Sequence, residues 1–221
     1  MITNHENVRL ADLAVARPAA SRVFHRQGLD YCCGGKRSLA EACAEKGLDP
    51  QAVLAEIEAE APEADERPWS ERPLPELIDH ILSTYHEPLR AELPELVAMA
   101  EKVESRHAEK TSCPRGLAAH LRQIHAAVLE HLAKEEQVLF PMILAGHGSR
   151  AGGPIQVMEM EHDDHGLNLA RTRALTDDLN PPAEACTTWR ALYLRLTELE
   201  KELMDHIHLE NNVLFPRALC A

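Results

Sequence analysis

The segment His131-Leu-Ala-Lys-Glu135-Glu-Gln-Val138-Leu139-Phe140-Pro141 returns 75 residues later as His206-Ile-His-Leu-Glu210-Asn-Asn-Val213-Leu214-Phe215-Pro216. The copies agree at His, Glu, Val, Leu, Phe and Pro. Residues four apart lie on one face of a helix, a turn from each other. Each copy therefore predicts a helix that carries an imidazole and a carboxylate on the same side. Two further histidines fit the scheme: His86 stands 45 residues before His131, and His162 stands 44 before His206. The chain reads as a duplicated helix pair related by a pseudo-two-fold axis.

Four long helical stretches follow from this pattern, over about 74–108, 115–144, 155–178 and 184–214. Pro88 and Pro94 are expected to kink the first. Gly146, Gly148, Gly152, Gly153 and Pro154 separate the second from the third, and Pro181 with Pro182 the third from the fourth. Short connections between long helices make an all-α, up-down-up-down four-helix bundle the economical architecture. Composition agrees: 45% of the 221 residues are hydrophobic and only 4% aromatic, a mix suited to packed helices.

Three parts are expected along the chain. Residues 1–61 form a small helical domain, with helices over 10–27, 38–46 and 50–61. Residues 62–73, with Pro62, Pro68 and Pro73, read as a linker, and residues 74–221 as the bundle. A unit of about 60 residues buries little surface alone, so it is expected to dock or dimerise. The formal net charge of −13 argues against nucleic acid and against an anionic membrane surface as partners. No apolar run approaches the roughly 18–20 residues that span a bilayer, and residues 1–9 have no apolar signal core; a cytoplasmic location is expected.

The repeat carries chemistry. His131 with Glu135, and His206 with Glu210, each point a nitrogen and a carboxylate into the core, and His86 and His162 complete the set. Burying such groups is costly unless they ligate something. Mixed imidazole and carboxylate donors suit iron, manganese or zinc, and bundles of this kind can hold two metals. If both glutamates bridge and each metal takes two imidazoles, a bridging oxide or hydroxide makes five donors per metal. One position on each then stays open for a small ligand. His107 lies 21 residues after His86, about 31 Å along a straight helix, and has no repeat partner, so it is set aside. His125, His165 and His208 also lack symmetry mates. Glu136 is passed over for Glu135 because its counterpart is Asn211. Glu161, beside His162, is a candidate proton relay.

These residues make the chain resemble the hemerythrin-like family. The segment Leu29-Asp30-Tyr31-Cys32-Cys33-Gly34-Gly35 is similar to the amino-terminal motif of that family's iron–sulfur cluster repair branch, the repair of iron centres proteins with a ScdA-type amino-terminal domain. The resemblance implies two iron ions bridged by oxide or hydroxide and two carboxylates. It also implies repair of iron–sulfur clusters under nitrosative and oxidative stress, by iron donation or by reduction of nitric oxide. Damaged iron–sulfur proteins as clients, nitric oxide or dioxygen as small ligand, homodimer formation and a cytoplasmic location come with it. A non-enzymatic sensor of oxygen, nitric oxide or iron is the alternative; a di-zinc or di-manganese hydrolase or oxidase ranks third. Oxygen-carrying hemerythrins use five histidines, and no symmetric fifth is present.

Cys32 and Cys33 are expected to act in nitric oxide or iron transfer, in redox sensing or in an inter-subunit contact. His25, Arg26, Lys36 and Arg37, close in sequence, are expected to lower a thiol pKa. As neighbours in sequence the two side chains should diverge, which disfavours chelation of one metal.

Overall fold

In the computed structural model, which describes residues 5–60 and 68–220, every regular element is helical. The expected helix over 10–27 is two helices, α1 (Leu10–Ala16) and α2 (Ala19–Arg26). Arg17 between them is extended, with φ −140° and ψ 95°. Pro18 imposes this, because its ring disfavours the helical conformation in the residue before it. α3 (Leu39–Lys46) opens on a capping box between Ser38 and Glu41 and closes on Gly47 at φ 68°. α4 (Pro50–Ala59) starts where the Asp49 carboxylate accepts the Gln51 N–H. Of the expected linker, residues 62–67 lie outside the described residues, and Trp69–Glu71 forms a single 3-10 turn.

Four long helical runs then make the bundle. The first is α5 (Leu74–Ile81), a π turn over Leu82–His86, and α6 (Glu87–Arg106). The second is α7 (Leu117–Lys134), a π turn over Glu135–Leu139, and α8 (Phe140–Leu144). The third is α9 (Gly152–Leu175), and the fourth is α10 (Thr187–Leu209), a π turn over Glu210–Leu214, and α11 (Phe215–Leu219).

The π turns have a common cause. The N–H groups of Glu87, Phe140 and Phe215 bond to carbonyls five residues back, those of Leu82, Glu135 and Glu210. A proline comes next each time: Pro88, Pro141 and Pro216. Proline has no N–H, and its ring crowds the carbonyl four residues back. One widened turn relieves that crowding and lets the helix continue. The expected kink at Pro88 is thus a π turn, while Pro94 lies within α6.

Two compact units divide the chain: Asp79–Leu203, and Met1–Ile78 with Met204–Ala221. In the first, α6 packs along α7, and α7 against α9. Buried residues recur every three or four positions: Leu89, Leu93, Leu96, Ala100 and Val103 on α6, and Leu117, Leu121, Ile124 and Val128 on α7. Each such leucine contributes about 1.5–3 kcal/mol by leaving water. Arg173 on α9 donates to both oxygens of buried Glu200 on α10, at 2.7 and 2.5 Å. In the second unit, α2 packs on α1 and α4, and α1 packs against the π turn Glu210–Leu214.

Candidate metal centre

The buried seams of the bundle helices do not stay apolar. On the first run the series 103, 100, 96, 93, 89 reaches His86; on the second, 117, 121, 124, 128 reaches His131 and then Glu135. Ile155 and Met158 on α9 lead to His162. Within Asp79–Leu203 these four side chains are 1% (His86), 2% (His131), 0% (His162) and 0% (Glu135) exposed.

Their outer hydrogen bonds set their inner chemistry. Nδ1 of His86 is 2.8 Å from Glu136 Oε1, and Nδ1 of His131 is 2.9 Å from Glu161 Oε2. A carboxylate accepts, so both Nδ1 atoms carry the proton. In a neutral ring Nε2 is then left with its lone pair. Those Nε2 atoms each stand 3.5 Å from Oε2 of Glu135. Nε2 of His131 is also 3.1 Å from Nε2 of His162. His162 can satisfy that contact as a donor, but ionised Glu135 cannot donate. Acceptors facing acceptors in a dry core repel, and a cation between them reverses the sign. The donor set therefore fits a metal.

The other unit holds the second copy of the motif. Nε2 of His206 lies 2.9 Å from Oε1 of Glu210, and both side chains are buried. The structure thus brings together His86, His131, His162 and Glu135 in one unit, and His206 with Glu210 in the other.

Sequence reasoning passed over Glu136, whose carboxylate accepts from His86 and from both terminal nitrogens of Arg90 at 3.0 Å. Burial pushes this carboxyl up, but His86 and Arg90 outweigh it and hold it below the usual range. His86 and Arg90, four apart on one helix face, were the available signal, since both call for an anion. His165 is buried with its ring edge-on to His131, at 5.0 Å between centroids. His107 sits beyond the other end of α6, its Nε2 3.2 Å from Cys186 Sγ and its ring 5.1 Å from that of Trp189.

His208 is buried against Tyr31, with ring centroids 5.5 Å apart. Burial pushes its imidazole down to about 4, against the pull of Asp205 and a bond to the Tyr31 backbone. The Tyr31 hydroxyl donates to Asp205 Oδ1 at 2.5 Å. Beside Tyr31, the Cys32 thiol is raised well above its ordinary value, first by its hydrogen bond to Cys33, then by burial and the negative charge of its neighbours. The basic residues close in sequence do not lower the Cys32 thiol; Arg26 is bonded to Glu60 and Arg37 to Glu45.

Comparison with known proteins bears on this donor set. The model of the hemerythrin HHE cation-binding domain matches residues 77–218. A second family model, ScdA_N, described as a domain of unknown function, matches residues 6–61. Proteins named iron-sulfur cluster repair protein YtfE from Citrobacter koseri, Shigella boydii and Escherichia coli are each 51% identical over 210 residues, covering 95% of this chain and 96% of theirs. The chain belongs to the hemerythrin-like iron–sulfur cluster repair family. In this repair-family chain the HHE match contains every histidine and glutamate of the repeat, and the ScdA_N match contains the Cys32–Cys33 motif. Among the described residues, no helix is long and apolar enough to cross a membrane.

A hydrogen-bonded carboxylate behind a ligating imidazole raises its basicity and fixes its tautomer. Glu136→Gln is therefore expected to weaken iron binding by about 10-fold, measured by competition with a chelator. Iron affinity equal to that of the unaltered protein would show that Glu136 only closes the surface around Arg90.

Proposed function

We propose that the protein binds two iron ions through His86, His131, His162, His206, Glu135 and Glu210, and that it repairs iron–sulfur clusters damaged by nitrosative or oxidative stress. The observation that carries this reading is the pair of Nε2 lone pairs, from His86 and His131, aimed at the buried Glu135 carboxylate. The sequence repeat supplies the matching pair His206 and Glu210, and Glu135 and Glu210 would be the carboxylates that hold the iron. The repair role is supported by the YtfE proteins, which carry that name.

When bound, the iron pair supplies a redox-active and exchangeable metal. The chain's own groups do the rest. Glu136 and Glu161 hold protons on the outer imidazole nitrogens. Glu161 also accepts from Lys134 Nζ at 2.5 Å, and Lys134 reaches Glu130 at 2.9 Å, which supports Glu161 as a relay between His131 and solvent. Phe140, stacked on His86 at 5.7 Å, and the buried leucines exclude bulk water. Repair would proceed by giving iron to the damaged cluster, by reducing two molecules of nitric oxide to nitrous oxide and water with two protons and two electrons from an external reductant, or by both. Cys32 and Cys33 are placed in this reading as thiols that pass nitric oxide or iron. A homodimer in the cytoplasm belongs to the same reading.

The test is metal analysis with Mössbauer spectra of the purified protein, then recovery of an iron–sulfur enzyme inactivated by nitric oxide. About two irons per chain and restored activity are expected. Two zinc ions, or iron with no restoration, would overturn it. Nitrous oxide formed with excess reductant separates turnover from donation. A second reading, a non-enzymatic sensor of oxygen, nitric oxide or iron, is favoured by the bond from Tyr31 to Asp205, on the helix that carries His206. Iron binding without any repair would select it.

A further inference from the structure

Residues 30–33 bring three donors to one point. One carboxylate oxygen of Asp30 and the sulfurs of Cys32 and Cys33 lie within 4.8 Å of one another. The sulfurs are 3.7 Å apart, and Cys32 Sγ is 3.3 Å from Asp30 Oδ1. Adjacent side chains diverge on a regular strand or helix. Here the backbone is neither: it bends from Cys32 onward. Asp30 Oδ1 accepts the N–H groups of both Cys32, at 3.2 Å, and Cys33, at 3.0 Å, and this curl puts both thiols on one side. Gly34 keeps the front of the carboxylate open, since a Cβ there would come within 2.9 Å of Asp30 Oδ2. The Arg37 guanidinium flanks the same glycine but is bonded to Glu45. Cys32 is buried, whereas Asp30 and Cys33 are partly exposed, so the cluster is reachable from solvent.

We propose that Asp30, Cys32 and Cys33 form a second cation site, for a thiophilic divalent ion of the zinc or ferrous iron class. It differs in donor chemistry from the histidine and glutamate set and does not depend on the repair reading. Two thiolates and one carboxylate give a tetrahedral ion three of its four ligands, and water or an incoming ligand takes the fourth. Binding is a proton exchange: each thiol releases its proton to solvent as its sulfur–metal bond forms, and no electron moves. The negative neighbours that raise the Cys32 thiol become favourable once the positive ion is present.

Cobalt(II) chloride titrated into the full-length, iron-loaded protein, with the thiols kept reduced, tests the site. Thiolate-bound cobalt absorbs by sulfur-to-metal charge transfer, and the sulfur-free histidine and glutamate set cannot produce that band. The band is expected to saturate at about one cobalt per chain and to vanish when zinc is added. It should fall by about half or more in Cys32→Ser and in Cys33→Ser, and be absent from the double variant. Asp30→Asn should bind cobalt about 10-fold more weakly, while Cys186→Ser and Cys220→Ser leave the band unchanged. Cys33→Ser, at the partly exposed thiol, retains the test if burial makes Cys32→Ser unfold. No band at stoichiometric cobalt overturns the proposal. So does a band that survives the double variant or follows Cys186 or Cys220.

Discussion

Glu135→Leu is expected to purify with iron reduced by about 100-fold in affinity and to restore no damaged iron–sulfur enzyme. Glu135 is fully buried, and its Oε2 stands 3.5 Å from Nε2 of both His86 and His131. Leucine fills a similar volume with no charge and no donor atom. The same substitution has an opposite effect on the metal-free chain. Burying a carboxylate carries a desolvation cost that a packed apolar side chain does not, and in the metal-free core the His86 and His131 lone pairs facing Glu135 add to that cost. Metal-free Glu135→Leu should therefore melt at or above the metal-free wild type, which separates loss of the site from loss of the fold. Glu210→Leu should behave in the same way. If either variant keeps its iron and its repair activity, that carboxylate is not a ligand of the iron.

Gly35→Ala is expected to destabilise the amino-terminal part of the chain by about 3 kcal/mol, the upper part of the range for overpacking. A Cβ at Gly35 would fall on the Tyr31 carbonyl oxygen and within 2.9 Å of the Ala11 Cβ. Neither neighbour can yield easily. Tyr31 is buried and bonded to Asp205, and the Ala11 N–H is bonded to the Gly35 carbonyl at 3.0 Å. Limited proteolysis should show cleavage at Arg22, Arg26 or Arg37 before any cut in α6 or α7. A variant whose unfolding free energy, from urea titration, differs by less than about 0.5 kcal/mol from wild type would mean the turn relaxes at no cost.

The parts of this protein that could be read in advance are those set by periodicity. Leu89, Leu93, Leu96 and Ala100 announce a buried seam, and His86 continues it, so both the helix and the inward histidine are visible in the residue order. His131 and Glu135 follow for the same reason. The π turns were not visible, because a widened turn changes which backbone groups bond without changing the side-chain pattern. Pro88, Pro141 and Pro216 were the trace of them, since proline is what the wider turn accommodates. Glu136 was hidden by symmetry reasoning: the repeat places Asn211 opposite it, yet its partners, His86 and Arg90, belong to a different helix. The divergence expected of Cys32 and Cys33 assumed regular backbone, and the Asp30 side chain removes that assumption.

The two copies of the motif are the same in letters but not in mutational freedom. Val138 is 48% exposed, while its counterpart Val213 is 3% exposed, in the π turn that packs with α1. A polar residue can replace Val138 at little cost, because that side chain already meets water. The same change at Val213 would bury a polar group, so only similar apolar residues suit it. Two matching segments of one chain need not tolerate change evenly. In this chain the first copy can accept new surface chemistry, and the second is held to apolar residues by what lies on top of it.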